Sequence, residues 1–291
     1  MLKTRTGLPL FITLITLFLL ASSNEVKLSY EESEGKELVY RTRNNGIVQI
    51  FVEGYSKTSQ TNSVSTDTFT YLGEDTLGNK EFLIAFGDVE ATKIIDGEIS
   101  PDEDKLELVG EKLRLKVTPD WKLEQWYGLE TLGYDEAGMD RGKLTANTYL
   151  AFTLTHLPDK PVTEKSKWEY KFPLELDTER GKMIQNVTKS YEVKKFRERN
   201  GHNCVEIEVK VDVAIEGEGE TFQEGQNYKY WSKGKGKGKG KILFDYENGY
   251  IFEGSTNWLI DFEIVTEAED GTTEKMMYSQ ETKQTLELDK K

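Results

Sequence analysis

The stretch CVEIEVKVDVAIEGEGETFQEGQNYKYWSKGKGKGKGKILF, residues 204–244, decides the fold class. Its first half alternates apolar and acidic residues with a period of two, the repeat of a strand with one face buried. Its second half alternates lysine and glycine at the same period. A turn at Gln223-Glu224-Gly225-Gln226 folds one half onto the other. Antiparallel pairing then sets Glu220 opposite Lys229, Glu216 opposite Lys233, Asp212 opposite Lys237 and Glu208 opposite Lys241. The same register sets Val213, Val211 and Val209 opposite Gly236, Gly238 and Gly240. One face reads as an ion-paired ladder, interrupted where Lys239 meets Lys210 and Lys235 meets Ala214. The other is valine over glycine. A slip of one residue turns every side chain over and loses both faces together. Lys233, Lys235, Lys237, Lys239 and Lys241 are candidate contacts for an anion or a partner, although the acids across the ladder largely neutralise them. Mid-strand glycines cost stability and mark close approach by another element.

Outward from this hairpin, period-two runs continue along the chain. Leu38–Arg43 and Ile47–Val52 flank Asn44-Asn45-Gly46, and Asn-Gly between β-rich runs predicts a type I′ hairpin turn. Further strands are expected over Thr66–Leu72, Lys80–Phe86, Lys112–Thr118, Lys122–Tyr127, Tyr250–Glu253, Trp258–Thr266 and Met276–Leu288. Asp270-Gly271 predicts the turn between the last two. Helix is invited only over Pro101–Val109, which opens with proline and acids, and over Asp135–Leu150. The expected fold is mostly β: an antiparallel, strongly curved sheet or open half-barrel with one or two short helices. Thr70–Phe86 and Val193–Val209 each contain a polar strand, a turn at Gly78 or Gly201, and an alternating apolar strand. They predict two similar halves, 24–160 and 161–291, within one continuous domain.

Residues 1–23 have the parts of a secretory signal: Lys3 and Arg5, an uncharged apolar run from Leu8 to Ala21, and small residues at Ala21-Ser22-Ser23. The apolar run is short for a membrane span. Cleavage before Asn24 is therefore expected, with retention as an anchor the alternative. The chain carries a formal charge of −14, which disfavours nucleic acid and anionic lipid surfaces as partners. An exported chain, periplasmic or at the cell surface, with no integral span after cleavage is the expectation. Cys204 is the one cysteine, so no intramolecular disulfide forms; it reads as an inert thiol at a strand end, with a reactive or intermolecular thiol as the alternative.

Catalytic patterns are not found. His156 and His202 are the two histidines, separate from each other and from any ligand-spaced partner, so no metal centre is expected. No nucleophile elbow or phosphate loop occurs, and strict alternation puts the Gly-Lys repeat in a strand. Among the many carboxylates no pair stands out for glycoside hydrolysis. Asp96–Asp104 is acidic but lacks the calcium-loop spacing. Asn186-Val-Thr188 matches a glycosylation acceptor. No catalytic residue, metal or cofactor is predicted.

The segment Leu157-Pro158-Asp159-Lys160-Pro161-Val162, followed by Lys167-Trp168-Glu169-Tyr170, resembles a family of bacterial exported proteins and lipoproteins of unknown function. In that family a Leu-Pro-x-Lys-Pro-Val segment precedes a tryptophan-bearing strand. A later glycine-alternating strand runs into Phe-Asp and a glycine turn, as in Gly238–Asp245 and Gly249. The resemblance spans about Leu157–Phe252. The lipid-anchoring cysteine of many relatives is missing here, and the family supplies no catalytic residues. More loosely, the architecture is similar to envelope half-barrels that carry lipoproteins or lipids. Three functions follow in order of preference. The first is a non-enzymatic module binding or carrying a hydrophobic ligand or protein segment. The second is a structural surface protein. The third is a hydrolase with an unrecognised carboxylate site.

Overall fold

The computed structural model describes residues 25–133, 140–178, 181–223 and 226–289. The signal-like segment lies outside them. Long alternating runs have one way to bury their apolar face, which is to pair edge to edge and curl around it. They do so as β1 (Glu37–Val52), β2 (Tyr55–Glu74), β3 (Lys80–Ile95), β4 (Glu98–Pro101), β5 (Lys112–Val117), β6 (Leu123–Tyr127), β7 (Lys167–Thr178), β8 (Gly181–Arg199), β9 (His202–Gln223), β10 (Gln226–Asp245), β11 (Tyr250–Ala268) and β12 (Thr273–Leu288). All belong to one antiparallel sheet of order β6-β5-β3-β2-β1-β12-β11-β10-β9-β8-β7, with β4 on the far stretch of β3. The sheet is nearly closed into a barrel, and a seam separates its edges β6 and β7.

Two short helices, α1 (Glu103–Leu106) and α2 (Arg141–Thr148), and a π-helical turn at Tyr149–Thr153 complete the chain. Asp140 caps α2 by accepting from the Lys143 amide at 2.8 Å, the bond that an N-cap carboxylate supplies. α2 touches both edge strands, and Asn147 Nδ2 donates to the Glu175 carbonyl of β7 at 2.9 Å. Pro173 lies in β7, an edge strand where a missing N–H is tolerated.

One end of the barrel is solid. Ile84, Leu115, Val193, Ile207 and Phe244 point inward from the strands and are fully buried. Between them sit Trp121, Leu150, Leu154 and Leu157 from the connecting segments. The tryptophan-bearing motif is part of this packing: Trp168 Nε1 donates to the His156 carbonyl at 2.8 Å and Tyr170 OH to the Leu157 carbonyl at 2.9 Å.

The β9–β10 register is the one that charge and glycine placement predict. Lys229 faces Glu220, Lys233 faces Glu216, Lys237 faces Asp212 and Lys241 faces Glu208, and Val213, Val211 and Val209 face Gly236, Gly238 and Gly240. Gln223 pairs with Gln226, while Glu224 and Gly225 lie outside the described residues. Asp270-Gly271 forms the expected turn, with Asp270 Oδ1 accepting from the Thr272 amide at 2.8 Å and Gly271 at φ +83°.

The Asn44-Asn45-Gly46 turn is not formed. β1 runs straight through it, paired to β2 on one side and β12 on the other. The chain turns instead after Val52, where Gly54 takes φ +78°. A hairpin at Gly46 would forfeit two ladders, and two flanking strands outweigh one local turn preference.

Candidate functional site

Below the solid end the barrel lumen holds a cavity of about 410 Å³. The helical segments contribute Lys105, Leu144 and Tyr149 to its wall, and the strands contribute two further parts. The apolar part is Trp258, Ile260 and Phe262 of β11, with Leu174 and Leu176 of β7 and Met183 of β8. The glycines of β10 make this wall possible. Gly234, Gly236 and Gly238 pair with Phe262, Ile260 and Trp258, and a Cβ on Gly238 would lie 3.1 Å from Trp258 Cβ and 3.4 Å from Val211 Cβ. At Gly234 the clash with Phe262 Cβ would be worse. The element approaching the glycine face is thus the neighbouring strand, whose side chains lie across β10.

The polar part comes from three adjacent strands: Thr42 and Asn44 of β1, Thr61 and Ser63 of β2, Thr282 and Gln284 of β12. Register aligns them in rows. Gln284, Asn44 and Ser63 form one; Thr282, Gly46 and Thr61 form the next. Gly46 keeps the second row low, because a Cβ there would stand 2.8 Å from Thr61 Oγ1. Asp67 closes the patch. It is buried and accepts from Ser65 Oγ at 3.0 Å and Tyr149 OH at 3.2 Å. Burial raises its carboxyl above the ordinary range, against the pull of those two donors and of Lys105. Asp67 is the one carboxylate among the described lining residues.

The five candidate lysines are elsewhere. Lys233, Lys235, Lys237, Lys239 and Lys241 are exposed on the outer wall. Among the described residues none of them sits within ion-pair distance of its acid; Glu208 pairs instead with Lys194 at 3.1 Å. The outer wall of β9 continues the charge with Lys210, Asp212, Glu216, Glu218 and Glu220, all exposed. A lipid-spanning barrel needs an outward apolar band about 25 Å tall, and this wall does not supply one.

The two histidines are far apart in role. His156 is fully buried at the solid end, stacked 4.8 Å from Trp121, with Nε2 3.1 Å from the Leu150 carbonyl. Burial holds its pKa well below the ordinary value, and nearby Lys189 adds to this. Lys189 is buried too and donates to the Leu154 carbonyl at 3.1 Å, at the end of the π-helical turn; burial pushes its pKa down to about 7. His202 Nδ1 lies 2.7 Å from Asp245 Oδ2 beside a turn that Asp245 holds by accepting from the Glu247 and Asn248 amides at 3.1 and 3.0 Å. Cys204, paired with Asp245 in the ladder, is buried in a small cluster with Leu243, Tyr250 and Phe252. Burial, then the Asp245 charge, pushes its thiol up to about 11, so it stays protonated and unreactive.

Sequence reasoning missed the polar patch. The glycine run was the signal for its apolar neighbour, and Asn44-Asn45-Gly46 was the signal for the patch itself, misread as a turn. No protein-family model matches the chain. No curated protein matches it either. Similar solved structures include a complex of Salmonella typhi OmpF with daunomycin (7% identity over 89% of this chain and 99% of that one, TM-score 0.24). Pseudomonas aeruginosa OpdQ is alike at 7% identity, 86% and 98% coverage and TM-score 0.22. So is OccK11 (OpdR) from the same organism, at 7%, 90% and 98% and TM-score 0.20. Overlap that slight carries nothing about what this chain binds.

Proposed function

We propose that this chain is an exported, non-enzymatic envelope protein that holds or carries a ligand with a hydrophobic portion inside its barrel. One observation carries the reading: a lumen cavity of about 410 Å³, within the range of small-molecule sites, walled by Trp258, Ile260, Phe262 and Met183. A packed interior has few voids larger than a water molecule, and a wall this apolar gains by covering its surface. A lone carboxylate, Asp67, does not furnish the pair that glycoside hydrolysis uses, which supports binding over catalysis. The signal-like 1–23 segment supports export.

Titration with the neutral fluorophore N-phenyl-1-naphthylamine, alongside native mass spectrometry of protein purified without detergent, tests this. Saturable one-to-one binding that Trp258→Ala weakens is expected. A linear, unsaturable signal with no bound mass would overturn the reading. For export, N-terminal sequencing of the exported product is expected to start at or near Asn24.

A further inference from the structure

The polar part of the lumen wall says what kind of ligand that cavity selects. Resting on the binding role proposed above, we infer that the lumen takes a neutral amphiphile with a polyhydroxylated headgroup, a glycoside with an apolar tail, whose sugar sits on the β12–β1–β2 patch.

The first ground is satisfaction of hydrogen bonds. Thr42 and Ser63 are 4% and 8% exposed and line the cavity. Asn44, Thr61 and Gln284, half-buried, line it too. Hydroxyls and amides turned toward a confined cavity offer their hydrogen bonds to a ligand that enters it. The second ground is chemical type. Every one of these groups is an uncharged hydroxyl or carboxamide. Carboxamides donate and accept at once, and hydroxyls do the same. The complementary ligand also carries donor and acceptor on each group, which describes a sugar hydroxyl and not a carboxylate, phosphate or ammonium.

The third ground is spacing. Adjacent strands lie about 4.8 Å apart and same-face residues about 6.8 Å apart along each strand. The aligned rows Gln284–Asn44–Ser63 and Thr282–Gly46–Thr61 therefore make a two-dimensional grid of polar groups. Gly46 in the middle of the second row lets Thr61 Oγ1 lie close over the backbone, so that row stays low beneath a ring. The fourth ground is adjacency. Trp258 pairs with Thr282, so an aromatic ring stands beside the grid, where the C–H face of a sugar packs on it. Ile260, Phe262 and Met183 extend from there as a surface for the tail. Charge selects against the alternatives. Asp67 and Lys105 both line the cavity and offset each other's charge, while Ser65 and Tyr149 both donate to Asp67 Oδ2, so the polar grid itself stays neutral.

Isothermal titration of the full chain with n-octyl β-D-glucoside below its micelle concentration tests the inference, against 1-octanol, octanoate, octyltrimethylammonium and maltose as separate titrants. The glucoside is expected to bind at least about tenfold more tightly than each of the others, a margin that a site built for hydrogen bonds achieves. Thr42→Val, nearly isosteric, and Asn44→Ala are expected to bring the glucoside and octanol affinities toward parity; circular dichroism identifies variants that fold. If octanol, octanoate or the ammonium binds as tightly as the glucoside, or Thr42→Val and Asn44→Ala both keep the preference, the headgroup assignment falls while the binding role stands. Maltose binding as tightly as the glucoside would make this a free-sugar site without a tail. If none of the five binds, both fall.

Discussion

Gly238 shows how much a single position can carry in this barrel. Its missing side chain is the space in which Trp258 and Val211 meet. Gly238→Val is expected to cost about 1–3 kcal/mol, the usual penalty of overpacking. Gly234, facing Phe262 more closely, costs more. On the opposite face Lys237 is exposed, and Lys237→Gln is expected to change stability by about 0–1 kcal/mol. Thermal melts of the variants beside the parent check the ranking, and a reversed order would mean the faces are swapped. Cys204 gives a second residue-scale test. Its protonated, buried thiol is expected to react with an aromatic disulfide reagent only after denaturation. Reaction of the native protein as fast as the denatured one would contradict its burial.

At the scale of elements, strands rich in aliphatics were legible and strands rich in polar residues were not. β9 alternates valine with acid, so period and register could both be read. The stretch Tyr55–Ser65 of β2 is mostly serine, threonine and other polar residues, with Tyr55 and Val64 the exceptions; its inward residues Thr61, Ser63 and Ser65 line the cavity, so no hydrophobic period exists to detect. The same holds at Asn44-Asn45-Gly46, where Asn44 and Gly46 face the lumen and Asn45 faces outward, a polar triplet that mimics a turn. A binding surface of uncharged polar groups erases the pattern by which strands are found, and that is why the fold was visible and the site was not. β8 carries the element-scale prediction. Lys189 sits on its inner face with a pKa of about 7 against 10.5 in an unfolded chain. Between those values the unfolded chain binds a proton that the folded chain does not, so stability rises with pH across that window, by up to about 1.4 kcal/mol per pH unit. Below pH 7 both states hold the proton and the dependence vanishes. Subtracting the stability of Lys189→Met from that of the parent cancels other titrations. The difference is expected to climb from pH 7 to 10, and a flat difference would mean the ammonium is solvated.

The whole molecule is a nearly closed wall with a mixed polar and apolar lumen, and β9 and β10 present charged residues on its outside. That polarity is the reverse of a lipid-spanning barrel's outer surface, so the purified protein is expected to stay in solution when mixed with neutral phosphatidylcholine vesicles and floated on a density gradient; co-flotation of the bulk would contradict the placement of its charges. The ladder in the middle of this wall joins its first and last described strands: Tyr40 of β1 faces Leu288 of β12. Synthesis runs in one direction, so β1 is made early and waits for one of its two neighbours until the last strand emerges. No early fragment holds a complete wall, and loop closure across nearly the whole chain must precede the final pairing. A truncation that removes β12, 16 residues long, takes away a ladder from both β1 and β11 at once. Assembly is therefore timed by the arrival of β12, and until then the waiting edge of β1 is open to any strand that reaches it first.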